Sequence, residues 1–350
     1  MDVRHGGDWA GFQARYGRAP LDFSASLSPL GLPEGVRRAA QAALEEANRY
    51  PDPMCRALRA KLGEYHHLSP EHILCGNGAA DLIFRLALAK KPKRGLLLAP
   101  TFGEYERALE TVGCEVEHFF LEENQNFQMT EGLLEHIVPG LELLVLCEPN
   151  NPTGQVTDHT LLLEILERCA QTGTLLAVDE CFLDFLPHPE EHSLIREVPT
   201  HKNLLIFRAF TKCYAMAGLR LGYCLCADSA LLEHMARMGQ AWGVSCVAQE
   251  AGLAALEEKA YLEQLRDAIE RERPLLQKGL EDLGCRVVPG QANFLLFQSP
   301  APNLRERLEE KGISIRSCGD FLGLDEGWCR VCVRTGEDNQ RLLSAMREVR

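Results

Sequence analysis

The chain has no run of the roughly eighteen apolar residues that a membrane helix needs, and it has no low-complexity tract and no internal repeat. Neither a helical membrane protein nor a repeat array is expected. It also lacks a surplus of positive charge: 37 lysines and arginines stand against 50 aspartates and glutamates, for a net charge of −13 at pH 7. Without a basic stripe to neutralise phosphates, nucleic acid and anionic membranes are excluded as general partners, and any anion must be held by a local site. The opening residues MDVRHGGDWAGF lack the apolar core of a signal peptide, so a cytoplasmic protein is expected. In that setting the 14 cysteines read as reduced thiols, with Cys75, Cys147 and Cys226 as small core residues. The C-x-x-C from Cys329 to Cys332 has no second pair at zinc-site spacing, and no metal centre is expected.

What is present is a chain of 350 residues, 46% hydrophobic, long enough for a full core and two domains. The apolar runs Leu96–Ala99, Leu143–Cys147, Thr174–Val178 and Leu204–Phe207 read as strands of a parallel sheet buried on both faces. A helical stretch, Glu34–Arg49, should end where Tyr50 precedes Pro51. From Ser245 a long helical stretch, broken by Pro274, leads to short runs at Val287–Pro289, Asn293–Phe297, Ile313–Arg316 and Trp328–Arg334 that read as strands. The expected fold is α/β, with a mostly parallel sheet in a large domain, 34–244, and a smaller C-terminal α+β domain, 245–350. Residues 1–33 are expected to face the substrate and to pack with the smaller domain.

The polar residues that end these runs carry the chemistry. Lys212 follows Leu204–Phe207 among small, aromatic and hydroxyl residues in FRAFTKCYAMAGLRLGY. Lysine loses its proton readily on burial and is the usual residue for a Schiff base with a carbonyl compound. Eight residues on, Arg220 is a permanent cation able to hold a phosphate, and Thr211 offers that phosphate a hydroxyl. A lysine of this kind beside a phosphate clamp suggests pyridoxal 5'-phosphate. GNGAADLIF, residues 76–84, is a glycine-rich turn entering an apolar helix, and the N–H groups of Gly78, Ala79 and Ala80 make a second phosphate cradle. Asp179, at the end of a buried strand, needs a partner, and a protonated pyridine nitrogen would be one. An aromatic at the end of the run Leu96–Ala99 can stack on a flat ring, and Phe102 and Tyr105 are the candidates. Ligands in such sheets lie beyond the carboxyl ends of the strands, where Asn151, Asp179 and Lys212 should converge.

The spacing T-K followed by G-L-R-L-G-Y resembles the fold-type I pyridoxal-phosphate enzymes, in the branch of histidinol-phosphate aminotransferase and threonine-phosphate decarboxylase. That resemblance implies that Asn151, in EPNNPTG, donates its amide to the cofactor's ring oxygen. It implies too that Tyr50, in RYPDP, crosses a homodimer interface to the partner's cofactor phosphate. The segment HGGD, with His5, Gly6 and Gly7, and the loop DFSASLSPLG, with Ser26, are similar to substrate-facing segments of the decarboxylase branch. Arg334, or Arg316, would grip an anionic end of the substrate. Several positions depart from the family pattern: Asp8, Ser26 and Ser28 where asparagines are usual, Asp81 for glutamate, Phe182 for tyrosine, and Ala209 where a hydroxyl residue commonly helps hold the phosphate.

DECFLDFLPH and the order of these segments resemble the decarboxylase branch more than the aminotransferase branch. The implied reaction is decarboxylation of L-threonine O-3-phosphate to the aminopropanol phosphate used in cobalamin assembly. Histidinol-phosphate or a related transamination is the alternative, and a non-catalytic protein that senses pyridoxal phosphate is a third reading. One methyl is worth only about 1–3 kcal/mol of discrimination, so serine phosphate stays open beside threonine phosphate.

Overall fold

The apolar runs become strands because both of their faces can be buried. A computed structural model of the chain describes residues 5–349. After a two-residue strand, β1 (Leu21–Asp22), come β2 (Ile73–Gly76), β3 (Arg94–Ala99), β4 (Glu115–Phe120), β5 (Leu143–Cys147), β6 (Leu175–Asp179), β7 (Leu204–Ala209) and β8 (Gly222–Leu225). β2 to β8 form one sheet in the order β2-β8-β7-β6-β5-β3-β4. Side chains alternate between its faces: Leu144, Leu146, Leu176, Val178, Leu204 and Ile206 join one core, while Leu143, Val145, Leu175, Ala177, Leu205 and Phe207 join the other. The fold is α/β, with helices such as Ala79–Lys90 and His159–Thr172 connecting the strands.

Only β8 runs against its neighbours, pairing antiparallel with both β7 and β2. That reversal matters for the site. β2, β3, β5, β6 and β7 end at the same edge of the sheet, and β8 begins there, with Gly222 opposite both Gly76 and Ala209. Arg220, two residues before β8, is thereby delivered to the edge where Lys212 follows β7.

A second sheet is antiparallel, in the order β12-β13-β10-β9, from β9 (Arg286–Val287), β10 (Phe294–Gln298), β12 (Arg316–Ser317) and β13 (Trp328–Cys332). β11 (Ile313–Ser314) pairs instead with β1, in parallel, which fastens the N-terminal segment beside the second sheet. The expected single strand Ile313–Arg316 is therefore two, serving different partners on either side of Ile315. Cys329 and Cys332 both lie on β13, and at a spacing of three on a strand they face opposite sides, the wrong geometry for two ligands of one ion.

Two expectations for helices need correction. The helix that starts at Glu34 ends at Ala43 and tightens into a 3₁₀ turn, Leu44–Glu46, well short of Arg49. Pro274 does not break its helix: Lys259–Asp282 runs through it, and the break falls earlier, between Ala255 and Lys259. Proline removes one N–H donor, but Ile269, Glu272, Leu276 and Leu280 are buried on either side of it, and that packing outweighs the lost bond. Among the described residues no helix is long and apolar enough to cross a membrane.

Behind the site lies a buried ion cluster. Arg208 on β7 meets Glu180 at 2.7 Å and Asp184 at 3.0 Å, and Glu180 also accepts from Ser193 and from the Leu194 N–H. The cluster joins the segment after β6 to the strand that leads to Lys212. Breaking a buried pair from one side leaves an uncompensated charge at a cost of about 3–5 kcal/mol. Arg208→Leu should lower the unfolding free energy by about that much in urea titrations, and adding Glu180→Gln should recover part of the loss.

Candidate active site

The glycine-rich turn forms the floor of the site. Gly78 sits at φ +84° directly before the helix Ala79–Lys90, and a Cβ there would lie 2.6 Å from Arg220 Nη2. A Cβ on Gly222 would lie 2.7 Å from the Ala79 nitrogen. Glycine at both positions is what lets the guanidinium approach the helix N-terminus, where free N–H groups and the helix dipole favour an anion. Asp81 fixes the turn by accepting from the Asn77 N–H at 2.9 Å and from Arg85 Nε at 2.9 Å. Arg220 makes no ion pair among the described residues; its Nη1 donates to the Ala217 carbonyl at 3.2 Å. Thr211 is buried beside Lys212, in the short helix Phe210–Cys213 that follows β7. One cation without an acid among the described residues, one N-terminus and no room for a side chain fit a phosphate, and with Lys212 next to them they fit pyridoxal phosphate.

Lys212 is half-buried, with Nζ 5.4 Å from the centre of the Phe182 ring. Burial pushes its pKa down to about 8, helped by Arg330 and opposed by Cys181 and Asp179. Asp179 is 5% exposed. Its Oδ2 accepts from the Tyr105 hydroxyl at 2.7 Å and its Oδ1 from the Cys181 N–H at 3.0 Å. Asn151 is buried and accepts from Arg330 Nη1 through Oδ1, which leaves its amide N–H₂ with no partner among the described residues. Phe102 is half-buried at the edge of the site, its ring 5.5 Å from that of Tyr105 and nearly perpendicular to it. Tyr105, the alternative stacking residue, lies in the core instead, with its hydroxyl committed to Asp179.

Arg330 is the functional residue that the sequence reading missed. It lies on β13, 7% exposed, and donates to Asn151 and, at 3.2 Å, to the Ser24 carbonyl, with its guanidinium 5.0 Å over the Phe294 ring. No carboxylate pairs with it among the described residues, its Nε has no partner, and burial lowers its pKa. A buried guanidinium without an acid is costly, and an anion would offset that cost. The two arginines expected in this role are already engaged. Arg334 donates to Asp338 at 3.0 Å and to the Asp22 carbonyl at 3.2 Å. Arg316 pairs with Asp320 at 2.7 Å and lies over Phe321. A signal for Arg330 did exist: in WCRVC it alternates with apolar residues on the inward face of a strand, where a charge must have a purpose.

The N-terminal segment closes one side. His5 Nε2 lies 2.7 Å from Glu104, and its ring is 5.6 Å from Phe102. A cleft of about 750 Å³ brings His5, Phe102 and Arg316 together. The Gly7 N–H donates to Ser24 Oγ at 2.8 Å, Gly7 adopts φ +87°, and a Cβ on Gly6 would collide with the Ser24 carbonyl. Ser26 is 1% exposed with an unpartnered hydroxyl. The Ser28 N–H donates to the Lys212 carbonyl at 2.9 Å, so this loop is tied to the lysine turn itself. Asp8, where asparagine is usual, caps the helix Trp9–Tyr16. Tyr50 is set apart: it is 79% exposed, stacks on Trp242 at 4.5 Å, and makes no described contact with the Lys212 cluster of its own chain.

The aminotransferase class I and II family model matches residues 20–346. Threonine-phosphate decarboxylase of Salmonella typhimurium is 38% identical over 99% of this chain and 96% of its own length. Histidinol-phosphate aminotransferase of Methanothermobacter thermautotrophicus is 30% identical over 94% of this chain and 88% of its own. Among solved structures, L-threonine-O-3-phosphate decarboxylase from Porphyromonas gingivalis superposes with a TM-score of 0.82 at 25% identity, covering 93% of this chain and 98% of that one.

The cradle makes a prediction that needs no substrate. Gly78→Ala should weaken inorganic phosphate binding at least about tenfold in calorimetric titration, since the new methyl displaces Arg220 and forces a strained φ. Gly17→Ala, at a positive φ with open space around it, should leave phosphate binding unchanged.

Proposed function

The chain belongs to the class I and II aminotransferase family, and from that premise we propose that it is a pyridoxal-phosphate lyase that decarboxylates L-threonine O-3-phosphate. The observation that carries this reading is the pair of guanidiniums without acids among the described residues, Arg220 at the phosphate cradle and the buried Arg330 on Asn151, both close enough to Lys212 to act on its charge. One cofactor phosphate and one substrate carboxylate answer to them. The likeness to the Salmonella decarboxylase over nearly the whole chain supports this choice over transamination.

Pyridoxal phosphate, when bound, supplies an electron sink conjugated to the substrate's α-carbon. The residues of the chain do the rest. Arg220, Thr211 and the N–H groups of Gly78, Ala79 and Ala80 would hold the phosphate. Asp179 would hold the proton on the ring nitrogen, Asn151 would offer its free amide to the ring oxygen, and Phe102 would cover the ring. Lys212 would hold the cofactor through Nζ, and the same amine, when free, would carry a proton. Arg330 would grip the substrate carboxylate and fix its orientation. His5, Gly6, Gly7, Ser26, Arg316 and Arg334 form the polar wall that receives the substrate's phosphate.

In this reading the protein is a cytoplasmic homodimer. Tyr50, which makes no described contact with its own chain's lysine cluster, completes the phosphate site of the partner subunit.

Incubation with L-threonine O-3-phosphate should release carbon dioxide without any keto-acid acceptor. Loss of the amino group that depends on an acceptor, with histidinol phosphate as the better substrate, would instead establish the aminotransferase. The purified protein should absorb near the visible edge, borohydride should abolish that band, and Lys212→Ala should lack it. A free amine must be neutral to attack an aldehyde. With its pKa at about 8, below the usual lysine range, Lys212 is mostly protonated under that pH and mostly neutral above it. Stopped-flow attachment of pyridoxal phosphate to the apoprotein should therefore quicken as pH rises through about 8 and level off beyond, whereas a lysine at its model-peptide value near 10.4 would still be gaining rate at pH 10.

A further inference from the structure

Tyr105 is 1% exposed, and its hydroxyl donates to Asp179 Oδ2 at 2.7 Å. The contact follows from position. Phe102 lies in the turn before the helix Glu104–Glu110 and lines the cleft, whereas Tyr105 lies inside the helix and is buried against the sheet, the two rings nearly perpendicular. On β6, Leu175, Ala177 and Asp179 point to the face that Tyr105 covers, and Cys147 of β5 lies in register with Asp179. The phenol is thus enclosed by apolar side chains and thiols, apart from one carboxylate oxygen. Burial, and after it the charge of Asp179, hold its pKa well above the ordinary tyrosine range, so it stays a donor at any working pH. Phenylalanine would fill the same space. What the hydroxyl adds is a fixed hydrogen bond to the acid, opposite the one from the Cys181 N–H.

We propose that Tyr105 is a positioning residue for the cofactor's ring nitrogen: with the Cys181 N–H it locks the Asp179 carboxylate in one orientation, ready for the pyridinium N–H. This rests on the pyridoxal-phosphate reading above. A hydrogen bond to a carboxylate favours the charged form, and a buried carboxylate stripped of a donor turns or takes up a proton. In either case the ring nitrogen loses its counter-charge and the electron sink weakens.

The test compares wild type with Tyr105→Phe, each titrated as apoprotein with pyridoxal phosphate and with its 1-deaza analogue, whose ring has carbon in place of the nitrogen. Affinity is read from the Lys212-dependent absorbance band. Tyr105→Phe should bind pyridoxal phosphate about tenfold more weakly, the size expected for one hydrogen bond to a charged group. It should bind the deaza analogue within about twofold of wild type. The pH midpoint of the visible band should move only in the pyridoxal-phosphate form, and in an Asp179→Asn background Tyr105→Phe should add no further loss. Equal weakening toward both ligands would show that Tyr105 merely packs, and no weakening toward either would remove its role; both outcomes overturn the inference. Should Tyr105→Phe fail to fold, Tyr105→3-fluorotyrosine keeps the shape and strengthens the donor. It should shift the midpoint with pyridoxal phosphate alone, and a midpoint that stays put would overturn the inference. If wild type itself develops no Lys212-dependent band with pyridoxal phosphate, the cofactor reading fails first, before any variant is compared.

Discussion

A sheet buried on both faces has nowhere to place a charge except at its ends. That constraint organises this molecule. Along β3, β5, β6 and β7 every interior position is taken by an apolar side chain belonging to one core or the other, with Arg208 and its two acids as a costly exception. Polar chemistry is pushed to where the strands stop, and because all but one run the same way, their ends coincide. The reversed strand completes the set, since β8 begins where the others finish and brings Arg220 to them. Asn151, Asp179, Lys212, Gly78 and Arg220 are scattered over 143 positions of sequence, from 78 to 220, yet share one edge.

The electrostatics of that edge run against those of the whole chain. The protein carries a net charge of −13, yet Arg220 and Arg330 both act on Lys212 with no acid paired to either among the described residues, and Asp179 is the carboxylate that opposes them there. A local excess of positive charge attracts anions that the outer surface repels. The same excess acts on Lys212: burial and Arg330 drive protons off, Cys181 and Asp179 draw them back, and the balance leaves its pKa at about 8. A free nucleophile and a free proton carrier at one atom require that compromise. Lysine beside an equal number of acids would stay charged and inert.

How much of this could be read from the sequence follows from the same constraint. Apolar runs closed by a polar residue gave away β3, β5, β6 and β7 to within two residues at either end, and with them Lys212, Asp179 and Asn151, because both the run and its ending are local. Arg330 was not legible in that way. It lies in the middle of a strand of the second sheet, and its purpose depends on Asn151, 179 positions away. Tyr105 was noticed as an aromatic, but whether it stacks or donates depends on which side of β6 faces its helix. Pro274 misled because the local penalty for proline is real, and only the burial of both flanks overrides it. The pairing of β1 with β11 involves two residues on each side, too short to leave any periodic mark.

In the proposed reading, the groups assigned to the cofactor and those assigned to the substrate sit on different frames. Lys212, Asp179, Asn151 and the cradle hang from the edge of the seven-stranded sheet. Arg330 and Arg316 belong to the antiparallel sheet, and the loop with Ser24 and Ser26 is fastened beside it through β1 and β11. Few polar contacts bridge the two frames near the chemistry: Arg330 to Asn151, the Ser28 N–H to the Lys212 carbonyl, and His5 to Glu104. Each of the three joins the N-terminal segment or the second sheet to the edge of the first. How the groups of one frame face those of the other is therefore set by the seating of the two, which these contacts hold. On the proposed reading, where reaction type is a matter of torsion, which bond would break depends on the rigidity of these bridges as much as on the identity of the lysine.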